Sequence, residues 1–451
     1  MRTLSKPSSG PGTFARGVHP AECKWLAADA AIEVLPPPAQ VLTPLLQHLG
    51  APCEAVVKPK QEVALGDVIG TAEAFVSAPV HASVAGTVGM AVMTTLPNGR
   101  HVRAIPIKAA ERQLGGTALW DELFGGEWPK SGLDRYGAQQ IADAVRAAGV
   151  VGMGGAAFPT HVKLARNENR PVDTLLVNGC ECEPYLASDY RLMIQAPGPI
   201  VSGAMLAARA AGVERVVVAI EDNKPRAIEV MRRAVGGTGI EVVSVRTKYP
   251  QGGERQVVPA VLGREVPTGG LPLDVGVVVM NVATAAAVAR AVLRGRPVTH
   301  RVVTVSGGGV ARARNLLVPI GVTYGELIAH CGGMTADAVR VVAGGPMMGF
   351  AIGDLEVPVT KGTSGVVVLT AGEVRRTDET ACVRCGRCVD VCPLRLVPTR
   401  IALAVRGGNM ELAKKYHLEA CCECGCCGYA CPAGIPLVQL IREGKAEAAG
   451  N

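Results

Sequence analysis

C-V-R-C-G-R-C-V-D-V-C-P, residues 382 to 393, and C-C-E-C-G-C-C-G-Y-A-C-P, residues 421 to 432, are two copies of one spacing. The first sets Cys382, Cys385, Cys388 and Cys392 ahead of Pro393; the second, counted back from Pro432, sets Cys421, Cys424, Cys427 and Cys431 in the same register. Both read C-x2-C-x2-C-x3-C-P, the run that holds cubane iron–sulfur clusters, with the fourth cysteine reaching across to the other cluster. Three closely spaced thiolates wrap a tight loop around three corners of a cube, and a more distant one closes the fourth. Crossed ligation therefore predicts one [4Fe–4S] cluster on Cys382, Cys385, Cys388 and Cys431, and a second on Cys421, Cys424, Cys427 and Cys392. Structural zinc and disulfides are the alternatives, but zinc favours paired C-x2-4-C knuckles over triplets ending in Cys-Pro. Cys422 and Cys426 fall outside the register and are expected to be non-ligands.

The 28 residues between Cys392 and Cys421 separate this pair of motifs from a compact small ferredoxin. They read as two short helices, with Pro398 suited to a first turn, and a further helix is predicted over 437–443. Residues 372–451 are thus expected to form a helical dicluster unit.

A chain of 451 residues implies several domains. Its 55 glycines and 3% aromatics imply tight turns, close backbone approaches and a core of Val, Ala and Leu. Most of the fifteen cysteines lie in a reduced-metal pattern, which argues for a reducing compartment. The opening MRTLSKPSSGPGTFARG has no apolar h-region, so no signal peptide is expected. The most apolar stretch, 276–289, contains Asn281 and Thr284 and is shorter than the ~20 residues of a span, so no direct membrane crossing is expected. The formal charge of +7 overstates basicity, since thiolate-bound clusters are anionic. Basic residues are scattered without aromatic interleaving, so no nucleic acid partner is expected.

Upstream, 54–108 consists of short β-prone runs punctuated by glycines and predicts a small barrel or sandwich. His81 and His101 lie there as packing or turn residues. After a connector over 111–137 with a short helix, strands and helices alternate. Helices are predicted over 138–148, 200–211, 224–235 and 283–294, and strands over 174–177, 215–220 and 240–245. That alternation predicts a parallel αβ sheet covered on both faces. Residues 298–370 return to β-prone text with one helix over 324–330, a β-grasp-like unit in which Cys331 is a buried thiol. The fold class is multidomain α/β, with units at 1–136, 137–297, 298–371 and 372–451.

Four polar or glycine-rich loops fall at strand ends of the αβ unit, where open sheets bind their ligands. The loop G-V-V-G-M-G-G-A-A-F-P-T-H-V-K carries Gly152, Gly154, Gly155, Phe158 and Lys163. Its glycines let backbone N–H groups approach a phosphate or planar ligand, and Lys163 offers a point charge. N-G-C-E-C-E-P-Y follows the first strand with Asn178, Glu181 and Glu183, carboxylates expected to meet ribityl or ribose hydroxyls. Cys180 and Cys182 are too few for a metal site of their own. K-Y-P-Q-G-G-E-R supplies Tyr249, Gly252 and Glu254, and M-N-V-A-T supplies Asn281. Ordinary turns would give the same text. A nucleotide crevice beside two clusters calls for a flavin, which converts a two-electron hydride into single electrons.

These runs, with F-A-R-G-V-H-P and S-A-P-V-H-A-S-V-A-G-T-V near the start, resemble the RnfC (RsxC) family over nearly the whole chain. Its members are the peripheral C subunits of Rnf ion-translocating electron transport complexes. The resemblance implies non-covalent FMN and an NAD(H) site in 137–297, a fold similar to the complex I flavoprotein subunit, and an SLBB β-grasp domain after it. It also implies a ferredoxin:NAD+ oxidoreductase coupled to Na+ or H+ movement, in either direction. The implied partners are membrane-embedded Rnf subunits, a ferredoxin-like B subunit and, indirectly, soluble ferredoxin, at the cytoplasmic face of the inner membrane. Against the complex I pattern, Met153 replaces Arg, Cys180 replaces Asp, Cys182 replaces Gly and Gly253 replaces Glu, changes that bear on the NADH contacts more than on FMN. One rival reading is a soluble flavin/iron–sulfur reductase of a corrinoid or other acceptor, against which the N-terminal β unit argues. The other is an electron-transfer scaffold without nicotinamide chemistry.

Overall fold

The computed structural model describes residues 10–166, 170–374 and 378–450. Its centre is a parallel sheet in the strand order Glu241–Val245, Arg215–Glu221, Thr174–Asn178, Val277–Asn281. The strands are continuous apolar runs, as strands covered on both faces are. Their side chains divide with the period of two that a strand imposes. Leu175, Val177, Val218 and Ile220 join the core formed with helices Ala138–Ala147, Pro197–Ala211, Pro225–Ala234 and Val282–Arg294. Leu176, Val217 and Ala219 face Val257, Val258 and Val261 of helix Glu254–Leu262. Helices Pro197–Ala211 and Val282–Arg294 approach closely because Gly203 has no side chain, where a Cβ would strike the Ala285 carbonyl.

Two small antiparallel sheets form the N-terminal β unit. One runs Gln40–Pro44, His101–Ala109, Gly86–Val88, Glu62–Val63, with Val92–Thr95 beside His101–Ala109; the other runs Glu54–Ala55, Val68–Thr71, Val80–His81. Val41, Ile69, Val80, Ile105 and Ile107 fill the space between them, so the expected small sandwich is present. His81 is buried there and His101 is exposed, bonded to Thr95. A six-stranded mixed sheet with helix Tyr324–His330 makes the β-grasp unit, and Cys331 is buried in its core. Thr323 and Glu326 cap that helix reciprocally, at 3.2 and 3.1 Å.

Two features lie outside what the sequence grouped together. Strand Ile32–Val34 precedes the β sandwich in the chain but pairs in parallel with Arg314–Pro319 at the edge of the β-grasp sheet. Residues 10–31 form a strap over the αβ unit: Gly10 and Gly12 donate to carbonyls of Val261 and Ala260, Val18 bridges Tyr249, and Tyr185 N donates to Glu22 O.

The C-terminal unit is a duplicated helical fold. Short helices Arg387–Asp390 and Cys426–Ala430 follow the two cysteine loops, and the longer Pro398–Arg406 and Leu437–Ala448 follow the two Cys-Pro turns. Ile401, Ala402, Leu418, Leu437 and Ile441 form their shared core. Among the described residues no helix is long and apolar enough to cross a membrane.

Candidate functional site

The register of the parallel sheet sets Asn178 beside Ala219 on one side and Asn281 on the other, so the two asparagines end adjacent strands at the same edge. Asn281 caps helix Val282–Arg294 by accepting from Ala283 N at 2.8 Å, which leaves its amide nitrogen to donate to Asp189 Oδ2 at 2.6 Å. Asn178 donates to Gly252 O at 2.7 Å and accepts from Cys180 N at 3.1 Å, tying the second loop to the third. Lys163 pairs with Glu254 at 2.7 Å and reaches Val279 O at 3.3 Å, tying the first to the third. All four loops therefore meet at one edge, as expected.

The glycine loop closes on itself through Gly152 N to Phe158 O at 2.8 Å, and is anchored by Met153 N to Thr284 Oγ1, also 2.8 Å. Gly154 rests on Asn281, where a Cβ would lie 2.7 Å from the amide nitrogen; Gly155 faces open space, and both are exposed. The β-grasp unit supports this loop from beneath. Arg301 donates to Met153 O, and Lys361 donates to Gly149 O and Pro79 O at 2.7 and 2.6 Å. Burial lowers the Lys361 ammonium to about 7.

Glu181 and Glu183 meet protein donors. Glu181 sits in left-handed backbone (φ 46) and accepts from Ser188 Oγ, Asp189 N and Tyr190 N, capping helix Ser188–Gln195. Burial, and then the charge of Glu181, raise Asp189 to about 7. Glu183 accepts from Met347 N and Met348 N at 3.1 and 2.8 Å, and burial raises it to about 7. It joins the αβ unit to a β-grasp turn.

Several residues here were not singled out from sequence. Lys24, from the strap, donates to the carbonyls of Glu183 and Leu186 at 2.8 and 2.6 Å. Glu221 and Lys224 form a buried ion pair of 2.8 Å at the end of the next strand. Gln251 is fully buried, and both atoms of its amide lack a partner among the described residues. A buried amide left so is costly, and it lies on the loop that Asn178 and Lys163 hold at this edge. Its signal was available in Y-P-Q-G-G-E, since a glutamine between Pro and Gly in an apolar setting has few partners of its own.

The two cysteine loops share one backbone pattern. Arg384 and Gly386 flank Cys385 at φ 55 and 77, and Glu423 and Gly425 flank Cys424 at φ 56 and 83. Left-handed residues on either side of the middle cysteine turn successive amides inward, a concavity suited to an anionic cluster; Glu423 N already points at Cys421 Sγ, 3.4 Å away. Cys392 of the first motif lines one cavity together with Cys421, Cys424 and Cys427 of the second. Cys388, Cys392, Cys427 and Cys431 share the core of the unit, packed by Cys382, while Cys385 is exposed. Among the described residues no three metal-binding side chains converge as on a single ion. Burial pushes Cys421 up to about 11 and Cys427 to about 12, so ligation would release protons.

The second loop is wedged against the αβ unit. Tyr249, 1% exposed, donates its hydroxyl to Cys424 O at 2.7 Å and packs with Cys424, Cys426 and Cys182. On the other side Gly425 lies against Met347 O, with no room for a Cβ, and Glu423 is held by Arg442 and Lys445 of the last helix at 3.1 and 2.9 Å. The first loop faces outward.

Comparison with known proteins gives four family models in chain order. The RnfC barrel sandwich hybrid domain matches 12–112, the Nuo51 FMN-binding domain 145–290, the SLBB domain 302–351 and the 4Fe-4S dicluster domain 375–432. The C subunit of the proton-translocating ferredoxin:NAD(+) oxidoreductase complex of Clostridium ljungdahlii is 42% identical, over 96% of this chain and 94% of its own. The corresponding C subunit of the ion-translocating oxidoreductase complex of Rhodobacter capsulatus is 43% identical over 95% and 82%. That of the Na(+)-translocating ferredoxin:NAD(+) oxidoreductase complex of Acetobacterium woodii is 41% identical over 87% of each.

Proposed function

The chain belongs to the RnfC family, the C subunits of ion-translocating oxidoreductase complexes, and from that premise we propose that it links NAD(H) and ferredoxin as the complex's peripheral electron-transfer subunit. The reading rests on one observation above others: the second cysteine loop, with Cys392 beside it, is bonded through Cys424 O to Tyr249 at the edge of the αβ crevice.

Gly152, Gly154, Gly155 and Phe158 form the wall that would take FMN, and Lys163, paired with Glu254, would supply positive charge beside it. Asn178, Glu181, Tyr249, Gly252, Glu254 and Asn281 fix the loops around it, and Glu183 closes the crevice against the β-grasp turn. NAD(H) would enter over the exposed Gly154–Gly155 side. When bound, FMN supplies the exchange between hydride and single electrons, and the cubanes carry one electron at a time. Cys382, Cys385 and Cys388 with Cys431 would hold the outward cluster; Cys421, Cys424 and Cys427 with Cys392 would hold the crevice-side one. Residues of the chain do the remaining work. Tyr249 and the Glu423–Arg442–Lys445 clamp fix the distance between crevice and loop, and the half-buried Lys24 and the buried Lys224 set the local charge.

With no spanning helix among the described residues, attachment to the inner membrane would run through the membrane-embedded subunits and the ferredoxin-like B subunit. Anaerobic purification, flavin release and NADH titration test the proposal. About one FMN per chain, bleached by NADH, is expected; flavin-free protein, or flavin indifferent to NADH, would leave the scaffold reading in its place.

A further inference from the structure

The β-grasp unit places two cations under the glycine loop. Arg301, on strand His300–Ser306, and Lys361, in the turn at 360–363, are 4% and 1% exposed. That turn rests on the loop: a Cβ on Gly362 would lie 3.5 Å from Ala157 and 3.9 Å from Gly155 O. Both cations donate only to backbone carbonyls. Lys361 meets Gly149 O and Pro79 O; Arg301 meets Lys361 O and Met153 O, and its Nε has no partner among the described residues. Lys163 has Glu254 as its counterion, but no carboxylate pairs directly with Arg301 or Lys361 among the described residues. Asp189 acts on Arg301 from farther away, and burial raises that carboxyl to about 7. A buried cation with no anion beside it is costly.

The same contacts aim the loop. In a trans peptide the C=O and N–H groups point opposite ways. Arg301 draws Met153 O down into the protein, so Gly154 N–H points outward, where it has no partner among the described residues and the glycine is exposed. An anion at that face would meet a free amide backed by two positive charges.

We propose that Arg301 and Lys361 determine flavin specificity: their buried charge, with the Gly154 N–H that Arg301 orients, makes the glycine loop select a phosphorylated flavin over the dephosphorylated one. This rests on the reading of the crevice as an FMN site. Riboflavin is FMN without the phosphate, so the ratio of the two affinities reports the phosphate alone. A unit charge about 10 Å from a phosphate, at an effective dielectric constant of about 20, changes affinity roughly tenfold. Loss of packing under the loop would instead weaken both flavins alike.

The test uses the full chain, its clusters reconstituted anaerobically and its flavin removed, titrated with FMN and with riboflavin by quenching of flavin fluorescence. The pH is 6.5, below the point at which Lys361 loses its proton. Lys361→Gln and Arg301→Gln keep an amide N–H for the carbonyls and remove the charge, whereas Arg301→Lys keeps the charge and removes the planar fork. Each glutamine variant should bind FMN roughly tenfold more weakly and riboflavin within about twofold of wild type. Arg301→Lys should keep the wild-type ratio of the two affinities. Glutamine variants that weaken both flavins equally, or that leave both unchanged, would overturn the proposal. So would wild-type protein that binds riboflavin as tightly as FMN, a result that needs no variant to fold. Wild-type protein that binds neither flavin would instead defeat the FMN reading on which the proposal rests.

Discussion

The buried pair Glu221–Lys224 gives a sharp test of how the crevice edge is held. Its side chains are 1% and 2% exposed and meet at 2.8 Å, and Lys224 also donates to Asn223 at 2.9 Å. Removing one partner leaves a charge that water cannot reach, at a cost of about 3–5 kcal/mol, whereas replacing both with apolar groups of similar volume is often close to neutral. The neighbours make the two single losses unequal. Lys24 also acts on Glu221, and Lys24 and Lys224 repel each other. Glu221→Gln leaves two cations facing each other and belongs at the top of that range; Lys224→Met leaves Glu221 with Lys24 and belongs at the bottom. Unfolding of a chain with several domains is not one transition, so the proper assay is amide hydrogen exchange over Arg215–Glu221. At 1.4 kcal/mol per decade, Glu221→Gln should speed exchange there by between three and four orders of magnitude, roughly, and Lys224→Met by roughly two. The double methionine variant should be slower than either. Single variants that exchange like wild type, or a double variant faster than both, would refute the reasoning.

Three further outcomes follow from named contacts. Glu183 is raised from 4.5 to about 7 by burial; below pH 4.5 it is protonated folded or unfolded, between 4.5 and 7 only the unfolded chain releases its proton, and above 7 the loss of stability is complete. Glu183→Gln should therefore change little at pH 5 and gain roughly 3 kcal/mol relative to wild type at pH 8, less the two backbone bonds weakened by losing the charge, as read by amide hydrogen exchange of the 345–349 turn, corrected for intrinsic rates, at the two pH values. Gly154→Ala, whose Cβ would lie 2.7 Å from the Asn281 amide, should weaken FMN retention at least tenfold while leaving iron content unchanged, measured by flavin release on dilution. Gly425→Ala needs φ +83 and room that the Met347 carbonyl occupies; it should lower iron in the second site and loosen the 345–349 turn in hydrogen exchange.

Much of this was legible because it is local. Cysteine spacing encodes a loop that must wrap a cube, and glycines at strand ends encode close approach, so the two cysteine loops and the polar loops at the sheet edge were both legible as local text. In continuous apolar text a polar cap marks the boundary. Residues 277–294 contain a buried strand and then a helix, and only Asn281, the helix cap, divides them. Helix Glu254–Leu262 was missed because Pro259 lies inside it. Helix Ser188–Gln195 was missed because the residue that starts it, Glu181, is seven positions before its first turn and reaches it only through left-handed backbone. Contacts between units left no periodic trace at all. Arg301 and Lys361 beneath the glycine loop, Lys24 from the strap, and strand Ile32–Val34 on the β-grasp edge are long-range pairings that a single sequence does not display.

The account depends most on crossed ligation, in which a cysteine of the first motif completes the site of the second. Iron per chain, with the EPR of each reduced cluster, in anaerobically reconstituted wild type and Cys392→Ala measures this directly. Wild type should carry about eight irons and the variant about four, with the outward cluster's signal intact and the crevice-side one gone. Zinc in wild type, or a variant that loses the outward cluster instead, would contradict it.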